Sequence, residues 1–221
     1  MISAKTGDIL FHETLCRVAQ TGGGFIAARQ FVKSFEAQET GRSIDRNMLS
    51  RAIEFLEAHP TTTLSVNLSA YSLNDAGWNS ILARELARNR DLCPRLILEI
   101  TETAQLPTGS SVPDKLQSYR ASGVRIAIDD FGAGTAGLQV LANTPVDILK
   151  IDGALVRGVA TNSARQAIVK SVVSLCHDLN LTSIAECVET PDDAQWLRQA
   201  GLDGLQGYFV QKPMVFQASG A

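Results

Sequence analysis

The stretch Val124–Gly134, VRIAIDDFGAG, decides the fold class of this chain. Its first half is a short run of apolar and β-branched residues, which predicts a buried strand over Val124–Asp129. A second aspartate, Asp130, follows that strand directly. The next predicted strand, Asp147–Asp152, repeats the pattern with Lys150 near its end. Polar residues at the ends of successive buried strands are typical of parallel strands whose carboxyl ends form a functional rim.

Short β-rich runs alternate with helical patterns in both directions from this stretch. The seven predicted strands are Asp8–Glu13, Leu64–Leu68, Arg95–Thr101, Val124–Asp129, Asp147–Asp152, Thr182–Glu186 and Asp203–Tyr208. Apolar residues at helical spacing predict helices over Ser43–Ala58 and Ser163–Leu179. A third helix is predicted between a cap at Thr190 and a stop at Gly201.

This alternation predicts parallel strands joined by right-handed crossovers, in an open doubly wound sheet or a closed barrel. The glycine fingerprint G-x-G-x-x-G does not follow the first strand, which weakens the dinucleotide-binding form of the open sheet. A closed barrel needs eight strands, and Ile2–Ala4 is the candidate remnant of the eighth. We therefore predict one α/β domain over residues 1–221, a TIM-like (β/α)8 barrel with a truncated first strand.

Composition excludes several classes of protein. The chain has 221 residues, a net charge of −3, 45% hydrophobic and 19% charged residues, values typical of a folded globule rather than a disordered chain. No apolar run approaches the length of about 18 residues that predicts a membrane segment, and the slightly acidic charge provides no general attraction to nucleic-acid polymers. Four scattered cysteines indicate reduced thiols and a cytoplasmic location, and three separated histidines argue against a zinc site.

Every predicted strand carries a charged or amide residue at or near its carboxyl end. These residues are Glu13, Asn67, Glu99, Asp129 with Asp130, Lys150, Glu186 and Gln206. Any one of them alone is explained by a salt bridge or a rim position. Five carboxylates converging beside one lysine, however, cannot all stay ionised without bound cations.

Oxygen ligands without histidine or cysteine favour Mg²⁺ or Mn²⁺. The adjacent Asp129 and Asp130 suit two ions, with one aspartate bridging both. A two-metal site of this kind activates water for in-line attack on a phosphodiester. The residues alone therefore predict a metal-dependent phosphoryl hydrolase.

The chain also resembles the EAL domain family, bacterial phosphodiesterases that hydrolyse cyclic di-GMP to linear pGpG. The resemblance runs from about Thr6 to Pro213 and is carried by seven motifs in order. They are HETLCR (His12–Arg17), VNLSA (Val66–Ala70), LEITET (Leu98–Thr103), IAIDDFGAG (Ile126–Gly134), VDILKID (Val146–Asp152), AECVET (Ala185–Thr190) and LQGYFVQKP (Leu205–Pro213).

The resemblance implies a role for each matching residue. A first ion would be held by Glu13, Asn67, Glu99 and Asp129, and a second by Asp129, Asp130 and Glu186. The catalytic residues would be Lys150, hydrogen-bonded to the attacking water, Glu186 as candidate general base, and Glu13. Arg17 would bind a substrate phosphate, although an ordinary surface cation explains it equally well. Gln206 would line the site, Glu102 would brace the loop after Asp130, and Glu189 would support the surrounding shell.

The resemblance also implies partners and a setting. Cyclic di-GMP is the expected ligand, and relatives often dimerise near the loop after Asp130. Many relatives carry sensory or GGDEF domains in the same polypeptide, so the chain is also expected as the cytoplasmic part of a larger, membrane-anchored protein.

Departures from the family pattern are visible at several positions. Thr14 replaces an alanine and Cys187 replaces a glycine, Thr135 and Gly137 alter the loop after Asp130, and most of the first strand is missing.

Two other functions compete with the phosphodiesterase. A barrel of the same fold would act as a receptor that binds cyclic di-GMP without cleaving it, but such receptors typically lose metal carboxylates and this chain has lost none. An unrelated barrel enzyme would use Lys150 to form a Schiff base. The surrounding carboxylates would keep that lysine protonated and therefore non-nucleophilic.

Overall fold

A mostly parallel sheet of eight strands curls into a barrel with helices on its outer face. The computed structural model describes residues 1–27, 31–35, 37–101, 112–134 and 138–215. The strands are β1 (Ile2–Ser3), β2 (His12–Thr14), β3 (Arg17–Ala19), β4 (Phe25–Ala27), β5 (Leu64–Asn67), β6 (Leu96–Thr101), β7 (Arg125–Phe131), β8 (Ile148–Ile151), β9 (Thr182–Ala185) and β10 (Gly204–Leu205). The helices are α1 (Val32–Phe35), α2 (Glu39–Ala58), α3 (Ala76–Arg88), α4 (Val112–Ala121), α5 (Leu138–Asn143), α6 (Gly153–Val156), α7 (Ser163–Asp178) and α8 (Pro191–Gln199).

The strand order confirms the predicted barrel. The sheet runs β1-β10-β9-β8-β7-β6-β5-β2, and neighbouring strands from β2 to β10 pair in parallel. Its two ends meet where Ile2 forms an antiparallel bridge with Ile9, just before β2. The eighth strand is the short β1, in the place where Ile2–Ala4 was predicted.

Two features of the sheet differ from the prediction. β1 pairs with β10 in the antiparallel direction, whereas all strands were expected to be parallel. β3 and β4 form a separate antiparallel hairpin that the sequence analysis missed. The hairpin was missed because a strand of three residues shows too little alternation to be recognised.

The first strand of the main parallel series also begins later than predicted. The predicted strand Asp8–Glu13 is reduced to β2, His12–Thr14, because residues before it pair with the short β1 instead. The helix predicted from Ser43 begins at Glu39. Its predicted apolar face is confirmed, since Leu49, Ala52, Ile53 and Leu56 are all buried.

Two apolar cores hold the barrel together. A large one fills the space between the helices and the outer face of the sheet. A smaller one fills the inside of the barrel and consists of Phe11, Ile97, Ala127, Ile148 and Ile184. Each of these five residues stands two positions before a polar residue predicted for the site. Because side chains two apart on a strand share a face, the inner core supports the site from below.

Among the described residues, no helix combines the length and apolar composition that a membrane crossing requires.

Candidate active site

A layer of polar side chains lies at the carboxyl-terminal mouth of the barrel, directly above the inner core. Strand periodicity explains the layer, since each member follows an inward-facing residue by two positions. Its seven members are Glu13 on β2, Asn67 on β5, Glu99 on β6, Asp129 on β7, Lys150 on β8, Glu186 after β9 and Gln206 after β10. We refer to these seven residues as the mouth layer.

Lys150 lies at the centre of the mouth layer and is completely buried. Its Nζ is 2.8 Å from Glu186 Oε1, 2.9 Å from Asp129 Oδ1 and 3.1 Å from Glu99 Oε2. A fourth carboxylate, that of Glu13, lies 3.9 Å away. One ammonium group is therefore shared by four carboxylates, which leaves the mouth layer with excess negative charge.

A bulge in β7 turns both adjacent aspartates toward the mouth. Ile128 pairs with Leu149, but the next pair joins Phe131 to Ile151, so β7 holds one residue more than β8 over this interval. Consecutive residues of a regular strand point to opposite faces. The extra residue and the left-handed backbone of Asp130, with φ of 56°, remove that restriction.

The amide side chains of the mouth layer orient Glu13. Asn67 Nδ2 donates to Glu13 Oε1 at 3.2 Å, and Gln206 Nε2 donates to Glu13 Oε2 at 2.6 Å. Gly207 allows the backbone next to Gln206 to pack closely against Val188, because a Cβ at this glycine would lie 2.2 Å from the carbonyl oxygen of Val188. The chain after β10 can therefore approach the loop after β9 only with glycine at this position.

Burial strongly perturbs the titration of these groups. Loss of hydration raises the pKa of Glu99 to about 8 and that of Glu186 well above its usual value. Burial and the adjacent Asp129 raise the pKa of Asp130 to about 6. Burial alone would lower the pKa of Lys150, but the surrounding carboxylates outweigh it and hold that pKa well above its usual value.

The carboxylates form two groups that share one member. Within each group the carboxylate oxygens, one from each residue, lie within 4.8 Å of one another. The groups are Glu13, Glu99 and Asp129, and Asp129, Asp130 and Glu186. Glu99 Oε1 and Gln206 Oε1 are buried without a hydrogen-bond partner. Hard oxygen donors, unpartnered buried oxygens and surplus negative charge all fit divalent cations such as Mg²⁺ or Mn²⁺.

Some predicted residues lie at the edge of this site or beyond it. Arg17 begins β3, is exposed, and donates from Nη1 to the carbonyl oxygen of Cys16. Glu189 pairs with Arg157 at 3.3 Å, outside the two carboxylate groups. Glu102 and the altered loop positions Thr135 and Gly137 lie outside the described residues.

Two other departures from the family pattern are accommodated locally. The Thr14 hydroxyl donates to the carbonyl oxygen of Ser65 at 2.8 Å, across the β2–β5 pair. Cys187, directly after Glu186, takes a left-handed backbone with φ of 51°, which explains why glycine suits this position better. The thiol packs against Gly153, where an added Cβ would lie 2.7 Å from Cys187 Sγ.

Ser65, a completely buried polar residue inside the barrel, was not among the predicted site residues. It stands two positions before Asn67, in register with Glu13 across the sheet. The period of two along the strand was the available signal, because it predicts an apolar residue at this position and a serine stands there instead.

The sequence model of the family described as "EAL domain" matches residues 1–213. The cyclic di-GMP phosphodiesterase PdeB of Shewanella oneidensis is 30% identical over 205 residues, which are 91% of this chain and 24% of that protein. The chain thus spans about a quarter of the length of this relative.

Solved structures of similar fold and sequence include two complexes with cyclic di-GMP. The PaMucR phosphodiesterase in complex with c-di-GMP is 31% identical with a TM-score of 0.82, and the match covers 96% of this chain and 88% of that one. A manganese and cyclic di-GMP complex of Klebsiella pneumoniae BlrP1 is 29% identical with a TM-score of 0.79, covering 94% of this chain and 52% of that one.

Proposed function

From the premise that this chain belongs to the EAL domain family, we propose that it hydrolyses cyclic di-GMP to linear pGpG with divalent metal ions. One observation carries the proposal. Two groups of three carboxylates share Asp129 at the mouth of the barrel, and Lys150 lies among them. This arrangement retains every oxygen ligand that a two-ion phosphodiesterase of this family is expected to need.

We assign the ligands from the two carboxylate groups. Glu13, Asn67, Glu99 and Asp129 would hold a first Mg²⁺ or Mn²⁺ ion. Asp129, Asp130 and Glu186 would hold a second one, with Asp129 common to both. The β7 bulge supports the assignment, because it aims adjacent aspartates at neighbouring positions. The ions, when bound, would supply Lewis-acid activation of water and neutralise charge on the phosphate.

The residues of the chain then have distinct tasks in the reaction. Lys150 would donate a hydrogen bond to the attacking water and hold it in line with the scissile phosphorus–oxygen bond. Glu186, whose pKa is raised by burial, would accept the proton of that water. As the new phosphorus–oxygen bond forms, one ester bond of the cyclic dinucleotide breaks; the leaving oxygen would take a proton from solvent water, and Glu186 would later return its proton to solvent. Glu13, held by two amide donors, keeps its carboxylate fixed during this step.

Contacts outside the ion site would bind the rest of the substrate. Arg17 is exposed at the start of β3, three positions after β2 ends, and is available to a phosphate. Gln206 lines the site beside Glu13. Glu189 would support the loop after β9 through its pair with Arg157, and Glu102 would brace the loop after Asp130.

The proposal extends to the setting of the domain. The MucR protein of Pseudomonas aeruginosa, 32% identical over 218 residues, is named a bifunctional diguanylate cyclase and phosphodiesterase. We propose that residues 1–221 act as one EAL domain in the cytoplasm, as part of a longer signalling protein with sensory or GGDEF domains, and that the domain forms a homodimer.

The test is hydrolysis of cyclic di-GMP by the purified chain in Mg²⁺ or Mn²⁺, followed by chromatography of the products. Linear pGpG should accumulate, and EDTA or Glu13→Ala should stop its formation. Asp178→Asn is the matched control, because that carboxylate is 74% exposed at the end of α7 and should leave the rate unchanged. Absence of pGpG with both metals would overturn the proposal, and tight binding without hydrolysis would identify a receptor instead.

A further inference from the structure

Asp45 on α2 reaches the loop that follows β5, close to the mouth layer. We propose that Asp45 is a positioning residue that aims Asn67 at the metal site by fixing the backbone of this loop. The inference rests on the proposed function, because it assumes that Asn67 is a metal ligand. It assigns a task to a half-buried helix residue that stands 22 positions before Asn67 in the chain.

One carboxylate oxygen of Asp45 accepts all the hydrogen bonds. Asp45 Oδ2 lies 2.8 Å from Ser69 Oγ, 2.6 Å from Ser72 Oγ and 3.4 Å from the backbone nitrogen of Ser69. The two hydroxyl oxygens, Ser69 Oγ and Ser72 Oγ, lie 3.1 Å apart, and Ser72 is completely buried. Hydrogen bonds to a charged acceptor are stronger than neutral ones, so this contact holds the loop firmly.

The loop needs such a contact because little packing surrounds the side chain of Asn67. Asn67 is exposed, and its Nδ2 donates to Glu13 Oε1 at 3.2 Å. On its carboxyl side, Leu68 N donates to the carbonyl oxygen of Glu99 at 2.8 Å, and Ser69 follows immediately. The backbone that follows Asn67 is therefore held by bonds on the next two residues, and Asp45 supplies the second of these.

The charge of Asp45 also acts on the segment after β2, the strand that carries Glu13. Burial and then the charge of Asp45 raise the pKa of the Cys16 thiol, so this carboxylate lies within electrostatic range of residue 16. β2 and β5 are neighbours in the sheet, with Glu13 opposite Ser65. Asp45 thus contacts the loop after the strand that provides Asn67, and its charge reaches the segment after the neighbouring strand that provides Glu13.

The next residue of α2 offers a natural comparison. Arg46 Nη1 lies 2.9 Å from both carboxylate oxygens of Asp75, at the far end of the same loop. Asp75 also caps α3 by accepting from Trp78 N at 2.7 Å. The Arg46–Asp75 contact also holds the loop to α2. Asp75, however, is eight positions after Asn67 and directly precedes α3.

The experiment compares Mn²⁺ binding by the wild-type chain, Asp45→Ala, Asp45→Asn and Asp75→Ala, using calorimetry and the electron paramagnetic resonance signal of free Mn²⁺. Loss of a residue that orients a metal ligand typically weakens metal affinity by about 10- to 100-fold. We expect that loss for Asp45→Ala, and recovery to within about threefold for Asp45→Asn, whose amide oxygen can still accept. Asp75→Ala should lower the Tm yet bind Mn²⁺ like the wild type.

Ser72→Ala provides a milder variant if Asp45→Ala does not fold, and it should weaken Mn²⁺ binding in the same direction. Equal Mn²⁺ affinity in Asp45→Ala and the wild type would overturn the inference, as would an equal loss in Asp75→Ala. A wild-type chain that binds Mn²⁺ without cleaving cyclic di-GMP would contradict the proposed phosphodiesterase alone. A wild-type chain that binds no Mn²⁺ would overturn both.

Discussion

The inside of the barrel contains two layers that differ sharply in chemistry although the same strands build them. The lower layer is the inner core of Phe11, Ile97, Ala127, Ile148 and Ile184, all at most 2% exposed. The mouth layer begins two residues further along the chain, about 6.6 Å higher. It places several carboxylates around one buried lysine.

Residues that stabilise the fold and residues expected to perform the reaction therefore lie only two positions apart on the same strands. The lower layer gains stability from apolar burial. The mouth layer concentrates like charges, which opposes folding until protons or cations neutralise them. Changes in the mouth layer should therefore affect activity and pH dependence strongly, whereas changes in the lower layer should affect stability alone.

The largest effect is expected from Asp129→Asn, which removes the carboxylate common to both groups. Hydrolysis of cyclic di-GMP should fall by about 10³-fold, since the shared ligand and its charge are lost together. Steady-state kinetics measure this loss, and urea denaturation checks that the variant is folded. A variant with wild-type activity would contradict the contrast between the layers.

Lys150→Met should destabilise the metal-free protein by about 3 kcal/mol, because a buried cation is removed while its carboxylates stay buried. Urea denaturation in EDTA at pH 7.5 measures this loss. Saturating Mn²⁺ should restore part of it by neutralising the same carboxylates. An unchanged urea midpoint in EDTA would show that Lys150 is not the counter-charge of the mouth layer.

The stability of the metal-free protein should decline as the pH rises from 5 to 8.5. Glu99 and Asp130 have pKa values raised to about 8 and about 6, so the folded chain holds protons that the unfolded chain releases. Their stabilising contribution is complete below the unfolded pKa values and disappears as the pH passes about 6 and then about 8.

Thermal melting across this pH range measures the decline in EDTA. In saturating Mn²⁺ the decline should vanish, because the ions replace the protons. A Tm in EDTA that rises steadily with pH would contradict this account.

The smallest effect is expected from Ile148→Val, a change in the lower layer directly beneath Lys150. Loss of one buried methylene should reduce the free energy of unfolding by about 1 kcal/mol. The rate of hydrolysis and the slope of Tm against pH should remain those of the wild type. A loss of activity beyond about threefold would show that the two layers are coupled through the strand.

The mouth layer could be predicted from sequence because it depends on strand periodicity and parallel pairing, which are both local rules. Glu99, Asp129 and Lys150 each end an apolar run, and parallel strands bring such ends to one rim. The same rules identified the apolar face of α2. They require several residues of pattern, which the β3–β4 hairpin does not offer, and two residues of β1 do not reveal the direction in which that strand pairs.

Other parts of the site depend on contacts between distant segments. The β7 bulge is defined by pairing with β8, so the letters IDDF alone do not distinguish a regular strand from a bulged one. The bonds from Asp45 to Ser69 and Ser72 span 24 and 27 residues. No periodicity connects such positions, and only the fold brings them together.

The extra residue in β7 also makes the site sensitive to chain length. A loss of three nucleotides that removes Asp130 would leave the reading frame intact and let β7 pair evenly with β8. The barrel would keep its strands, while the second group of carboxylates would lose one of its three members. A single in-frame deletion is therefore a short genetic route by which a descendant of this domain could keep its architecture and give up its chemistry.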